Sequence, residues 1–245
     1  FSRNTQGNTA DYRKIFVEKV VQKVLEWKKQ HPKTTLRIAS LGSFRLSQEC
    51  ILLAHLLKKI PSLEIEFDFV DPFYSDTYNP VGKSFAAARD NTLSDFIQLV
   101  NLGLGFEITP RKTKIATDLC QNMNSIIQQL EEQGHRFVPT SNKLSPYFFI
   151  DIECYAQHIK THRAEPHIII DIDLLGERLI KEGIESTKEK LSIQSLESIK
   201  TFSPNGTVLI NCFISAGHGV IDVTKRQDNG SWSETKLKYT PLPTH

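Results

Sequence analysis

Apolar and polar positions along this chain switch between two periods. From Asp11 to Gln30, Phe16, Val20, Val24 and Trp27 recur at helical spacing with lysines and glutamates opposite, and His31-Pro32 stops the pattern. The polar stretch before it, Phe1 to Thr9, predicts loose chain. Leu36 to Ser40 is a short apolar run that reads as a strand. A turn at Gly42 follows, then a helix from about Ser47 to Ile60, ended by Pro61. Ile65 to Val70 predicts a second strand, which ends on Asp71. DPFYSDTYNPVG, over 71–82, is short of helix formers and reads as a loop. Helical patterns follow at Ser84 to Asn101 and at Lys114 to Gln133, the latter closed by Gly134. Tyr147 to Glu153 and His167 to Asp173 predict strands, and the isoleucine run of the second suits a strand buried on both faces. Leu174 to Ile199 predicts one or two helices, and Ser203 to Phe213 a turn feeding a buried strand. Val220 to Arg226 and Trp232 to Tyr239 alternate around Asp228, Asn229 and Gly230, a hairpin signature.

Alternating strands and helices predict an α/β fold with a doubly wound, mostly parallel sheet and a C-terminal antiparallel hairpin. A length of 245 residues, 39% hydrophobic and 24% charged, fits one domain spanning 1–245, with a helical insert over 72–146. A net charge of +2 gives no general field favouring nucleic acid or an anionic membrane. Cys50, Cys120, Cys154 and Cys212 are widely spaced, which predicts buried thiols in a reducing, cytoplasmic or otherwise intracellular compartment. No apolar run approaches the roughly 20 residues that span a bilayer. The chain starts at Phe1 and not Met, so a fragment or processed form lacking a targeting segment is expected.

Strand, turn, helix, strand, acid is the opening of a nucleotide-binding sheet. The turn at Gly42 and Ser43 brings backbone N–H groups and a helix N-terminus towards a ligand. Asp71, followed by Pro72, stands where a carboxylate accepts ribose hydroxyls; its bland role is a helix cap. This order of elements resembles the class I S-adenosylmethionine-dependent methyltransferases. In that family the sheet has seven strands, the last of them antiparallel. The likeness runs from Asp11 to Tyr239. Ile38 to Glu49 corresponds to the glycine-rich first motif, acid-x-Gly-x-Gly-x-Gly, with Ser40, Gly42, Phe44 and Leu46 in the four key slots. Only one glycine survives there and the acid is gone. Phe67 to Asp71 matches the strand ending in the ribose acid, Ile150 to Ala156 the region that contacts adenine, and Pro166 to Gly176 the motif facing the methyl group. Ser203 to Phe213 matches the proline-glycine turn and fifth strand.

The resemblance implies S-adenosylmethionine as cofactor, held by Ser40, Gly42, Ser43, Glu49, Asp71, Pro72, Glu153 and Cys154. Glu49 would face the cofactor's amino group or pair with a surface lysine, and Glu153 and Cys154 would lie at the third strand tip. Asp171 and Asp173, two apart on one strand, share a face and could orient a nucleophile or accept its proton; Asp173 is equally a helix N-cap. His218, between two glycines, reads as a base on a flexible loop or as an incidental turn residue. Tyr74 and Tyr78 are expected as loop aromatics able to stack on a ligand. His158, His162 and His167 lack metal-ligand spacing, so no metal is expected. Lys58-Lys59 and Arg111-Lys112 read as solvated faces. Three functions are carried forward. The first is a methyltransferase acting on a protein or small-molecule acceptor, with nucleic acid not favoured. The second is an inactive methyltransferase-like domain that binds a protein. The third is another Rossmann-like nucleotide enzyme, against which the terminal hairpin argues.

Overall fold

In a computed structural model, the structure is described for residues 6–78, 85–111, 118–137, 139–162, 165–172, 197–215 and 218–239. The elements run α1 (Gln6–Gln30), β1 (Leu36–Leu41), α2 (Ser47–Leu57), β2 (Glu64–Val70), α3 (Ala86–Gln98), β3 (Phe106–Ile108), α4 (Asp118–Glu132), β4 (Asn142–Phe149), α5 (Ile152–His162), β5 (Ile168–Ile172), β6 (Val208–Ser215), β7 (His218–Arg226) and β8 (Trp232–Tyr239). They form one mixed sheet in the order β3-β4-β2-β1-β5-β6-β7-β8, parallel from β3 to β6 and antiparallel from β6 to β8. The described sheet therefore has eight strands, not seven. The addition is β3, a three-residue strand inside the long insert, which otherwise supplies α3, a π-helical turn (Leu99–Gly103) and α4. The last three strands form a continuous meander, since β7 follows β6 directly and β8 follows β7. The hairpin lies where the alternating pattern places it, with Gly230 at φ 80° in its turn.

β4 starts at Asn142, not at Tyr147, and carries Pro146 within it. Proline cannot donate to a ladder, so an interior strand should exclude it. Here β3 pairs only with Asn142, Lys143 and Leu144, so β4 is an edge beyond that point. The chain leaving β3 then needs only acceptors from β4: Thr109 N–H donates to the Leu144 carbonyl (2.9 Å) and Arg111 N–H to that of Pro146 (3.2 Å). β4 also ends earlier than the apolar pattern suggests, at Phe149. Asp151 accepts a hydrogen bond from Cys154 N–H (2.6 Å) and starts α5.

Residues in register on neighbouring strands share a face, so pairing assigns the two sides of the sheet. One side is aromatic: Phe69 stacks on Phe148 (5.1 Å) and meets Phe96 of α3 edge-on (5.6 Å). The other side carries charge under α5. Arg37 pairs with Glu66 (2.7 Å), Arg111 reaches both Glu66 (3.7 Å) and Asp68, and Tyr147, Tyr155 and His158 close over them. Arg111 is thus the counter-ion of the buried Asp68, not part of a solvated basic face, whereas Lys58 and Lys59 are exposed. No described helix is long and apolar enough to cross a membrane.

Removing one partner of a buried ion pair leaves the other uncompensated, at a cost of about 3–5 kcal/mol. Arg111→Ala is therefore expected to lower unfolding stability in urea by about 3 kcal/mol. Lys58→Ala, on the exposed end of α2, should change it by less than about 0.5 kcal/mol.

Candidate functional site

In a doubly wound sheet, ligands bind outside the carboxyl ends of the strands where the strand order reverses. In this sheet that point lies between β1 and β5, because β1 connects onward to β2 on one side while β5 flanks it on the other. The turn after β1 stands there. Gly42 N–H donates to the Val70 carbonyl (2.9 Å), which extends the β1–β2 ladder by one bond. The backbone then takes left-handed φ values at Gly42 (79°), Phe44 (33°) and Leu46 (61°). These are the three glycine slots of the resembled motif, two of them now held by bulky residues. Each non-glycine residue in that region costs about 1–2 kcal/mol. Leu46 is also the N-terminal boundary residue of α2, with no side-chain cap.

Asp71 holds this turn. Its Oδ2 accepts Phe44 N–H (3.0 Å) and its Oδ1 accepts Phe73 N–H (2.8 Å), so it caps the 3-10 turn Pro72–Tyr74 as well. Its own N–H donates to the Phe149 carbonyl (3.0 Å). The side chain is 7% exposed. Burial raises its pKa, and the two N–H donors oppose that rise. The Phe44 ring packs edge-on against Phe73 (4.8 Å).

The remaining polar groups bond inward. Ser43 Oγ and the Tyr74 hydroxyl share a hydrogen bond (2.8 Å), and Ser40 Oγ donates to Glu49 Oε1 (2.6 Å). Ser40, Ser43, Glu49 and Tyr74 are all buried. Tyr74 is therefore a core aromatic and not a loop aromatic, and burial followed by nearby Glu49 pushes its hydroxyl pKa well up. Tyr78 is half-buried against Phe73 and Phe85. Arg89 of α3 fixes this loop by donating to the Tyr74 carbonyl (3.3 Å) and pairing with Asp76 and Asp90.

Glu49 is the most perturbed carboxyl of the cluster. It is 1% exposed and faces inward instead of pairing with a surface lysine. Burial pushes its pKa up to about 7, against the Ser40 hydrogen bond and with a smaller push from Asp71. Its Oε2 has no hydrogen-bond partner. The next residue, Cys50, has its thiol pushed up to about 12 by burial and by Glu49, which makes it a poor nucleophile at neutral pH.

The other candidate residues do not join this cluster. Glu153 and Cys154 sit in the first turn of α5 and not at a strand tip, because β4 stops at Phe149. Pro72 is exposed at the start of its turn. Asp171 is buried in register with Leu41 and Asn211, so it lies on the opposite face of the sheet from Ser40. Asp173 lies outside the described residues. His218 opens β7 opposite Ser215, in a strand and not on a flexible loop; its flank 216–217 lies outside the described residues. His158 and His167 are each pushed down to about 4, first by burial. His167 Nδ1 accepts Arg37 N–H (3.0 Å) and its ring stacks on Trp27 (4.2 Å), a structural role at the base of the sheet. Among the described residues no group of three His, Cys, Asp or Glu side chains could hold a metal ion. Tyr74 and Arg89 are the members of the cluster whose roles the sequence did not reveal; a tyrosine three residues after an acid is the only local signal.

A carboxyl with a raised folded pKa favours the fold at low pH. For Glu49 that relative stability is complete below about 4.5 and is lost as pH rises through about 7. Glu49→Gln should abolish this segment of the pH dependence. Relative to the variant, the wild type should lose up to about 3 kcal/mol between pH 4.5 and pH 8, measured by denaturant unfolding across that range.

No protein-family model matches the chain, and no curated protein does. Among solved structures it is similar to a crystal structure of Plasmodium falciparum PdxK with the ligands AMP-PNP and PL. The identity is 14% over 85% of this chain and 76% of that one, with a TM-score of 0.29, a likeness that says nothing of ligand or activity.

Proposed function

We propose that this chain is a methyltransferase-like α/β domain that works by binding a protein partner and not by cofactor chemistry. The observation that carries the reading is the state of Asp71. Both of its oxygens hold the protein's own N–H groups, one of them on Phe44, a residue standing in a glycine slot. A ribose diol would compete with two backbone donors for that carboxylate and with Phe44 for the space. Ser43 and Ser40 are likewise committed to Tyr74 and Glu49. Leu99 and Leu102, 50% and 48% exposed, are two large apolar side chains left open to solvent on the π-helical turn after α3.

A second reading, an S-adenosylmethionine-dependent methyltransferase acting on a protein or small molecule, is favoured by one specific observation. The backbone keeps left-handed conformations at all three glycine slots, the geometry that brings a main chain close to a ligand.

Thermal unfolding separates the two. Ligand at about a hundred times its Kd adds roughly 2.7 kcal/mol, which raises Tm by several degrees in a chain of this size. The binding-module reading expects no rise with millimolar S-adenosylmethionine, its demethylated product or NAD. A rise with the methionine compounds that disappears in Asp71→Ala would overturn it and establish the methyltransferase reading.

A further inference from the structure

The turn after β1 combines three features: left-handed strain at two bulky residues, one side-chain acceptor holding the strained segment, and a buried carboxyl within electrostatic reach of that acceptor. Phe44 and Leu46 hold positive φ without the freedom of glycine, and α2 begins there without a side-chain cap. What restrains Phe44 is Asp71 Oδ2. Glu49, in the first turn of α2, is buried within electrostatic reach of Asp71, with Oε1 held by Ser40 and Oε2 unpartnered.

We propose that the β1–α2 turn is a proton-operated latch: protonated Glu49 keeps it closed over Asp71, and loss of that proton to solvent favours release of Phe44 and exposure of the buried polar cluster. A neutral Glu49 carboxyl costs little where it lies. An ionised one puts a second negative charge within electrostatic reach of Asp71, with no cation acting on it among the described residues. The groups coupled to it are Asp71 and Tyr74 from the loop after β2 and Cys50 on its own helix. None of these supplies positive charge. Arg89 is engaged with Asp76, Asp90 and the Tyr74 carbonyl, and exposed Arg45 lies over the Phe44 ring (5.4 Å). α1 packs against α2, and its buried hydrophobic residues are Phe16, Val17, Val20, Val21 and Val24. Opening the turn gives Glu49 water in place of Asp71 and relaxes the two strained residues at once. The inference rests on the reading of the site as closed over its own acid, and not on what the domain binds.

Opening should increase with pH from about 4.5 and level off above about 7, a change of about tenfold between pH 6 and pH 8. Amide hydrogen exchange on the whole chain reads this directly, once rates are corrected for the intrinsic effect of pH. The amides of Phe44 and Phe73 should lose about tenfold in protection over that range and should stay less protected than Phe69 within β2, which exchanges only through the global unfolding that Glu49 also biases. In Glu49→Gln the loss should vanish. Should that variant not fold, Ser40→Ala serves instead: without the hydroxyl that favours the ionised form, the rise should still begin near 4.5 but level off at a higher pH. Unchanged protection at Phe44 and Phe73, the same loss in Glu49→Gln, or protection at Phe44 and Phe73 as high as at Phe69 would each overturn the latch. None of these outcomes bears on the binding-module reading, which ligand-dependent unfolding decides.

Discussion

The tips of three strands are joined through one aspartate. Asp71 receives N–H bonds from the turn after β1 and from the 3-10 turn after β2, and its own N–H reaches the end of β4. Parallel strands are connected by long crossovers, so their carboxyl ends are the places where loops are least constrained. A carboxylate accepting two backbone donors fixes two of those loops against each other at once. Around it, Ser40 holds the buried Glu49 at the start of α2 and Ser43 holds the buried Tyr74. The same commitment leaves each carboxylate oxygen already accepting one of the protein's own N–H groups.

The two faces of the sheet solve burial differently. Towards α2 and α3 the sheet stacks Phe69, Phe96 and Phe148, which need no partners beyond one another. Towards α5 it buries Asp68 with Arg111 and links them to Glu66 and Arg37. Burial raises the Asp68 pKa and the guanidinium beside it offsets much of that rise, so the pair is held close to neutral cost instead of adding net stability. Such a network fixes register. Arg111 can satisfy Asp68 only if the segment leaving β3 runs alongside Ser145 and Pro146, which is where it donates to both carbonyls.

Much of this architecture was legible in the sequence because it rests on periodicity. The isoleucine run of β5, the alternation of β7 and β8 and the Gly42 turn all fall where the patterns put them. The site was less legible, for physical reasons. Whether Asp71 faces a ribose or its own backbone depends on where Phe44 goes, and nothing local to FRLSQE says that two bulky residues adopt glycine-like conformations. Arg111 looked like a surface cation because its partners are 43 and 45 positions away in the chain. Glu153 and Cys154 were placed at a strand tip because the apolar pattern of YFFIDIE continues past Phe149. It was the cap formed by Asp151 that ended the strand.

Sequence separation within the sheet also orders the events of folding. β6, β7 and β8 pair through turns of a few residues, so their contacts close quickly and need no other part of the chain. The seam between β1 and β5 is the opposite case: Arg37 meets His167 across 130 positions, with Trp27 stacked behind it. Loop-closure entropy must be overcome there before any contact rewards it. The meander is thus suited to form first and wait as an exposed three-stranded template. β5 adds to its β6 edge, and through β5 the meander joins β1, only across much longer separations. The vulnerable species on this route is one in which the β6 edge, apolar apart from Asn211 and Ser215, still lacks β5.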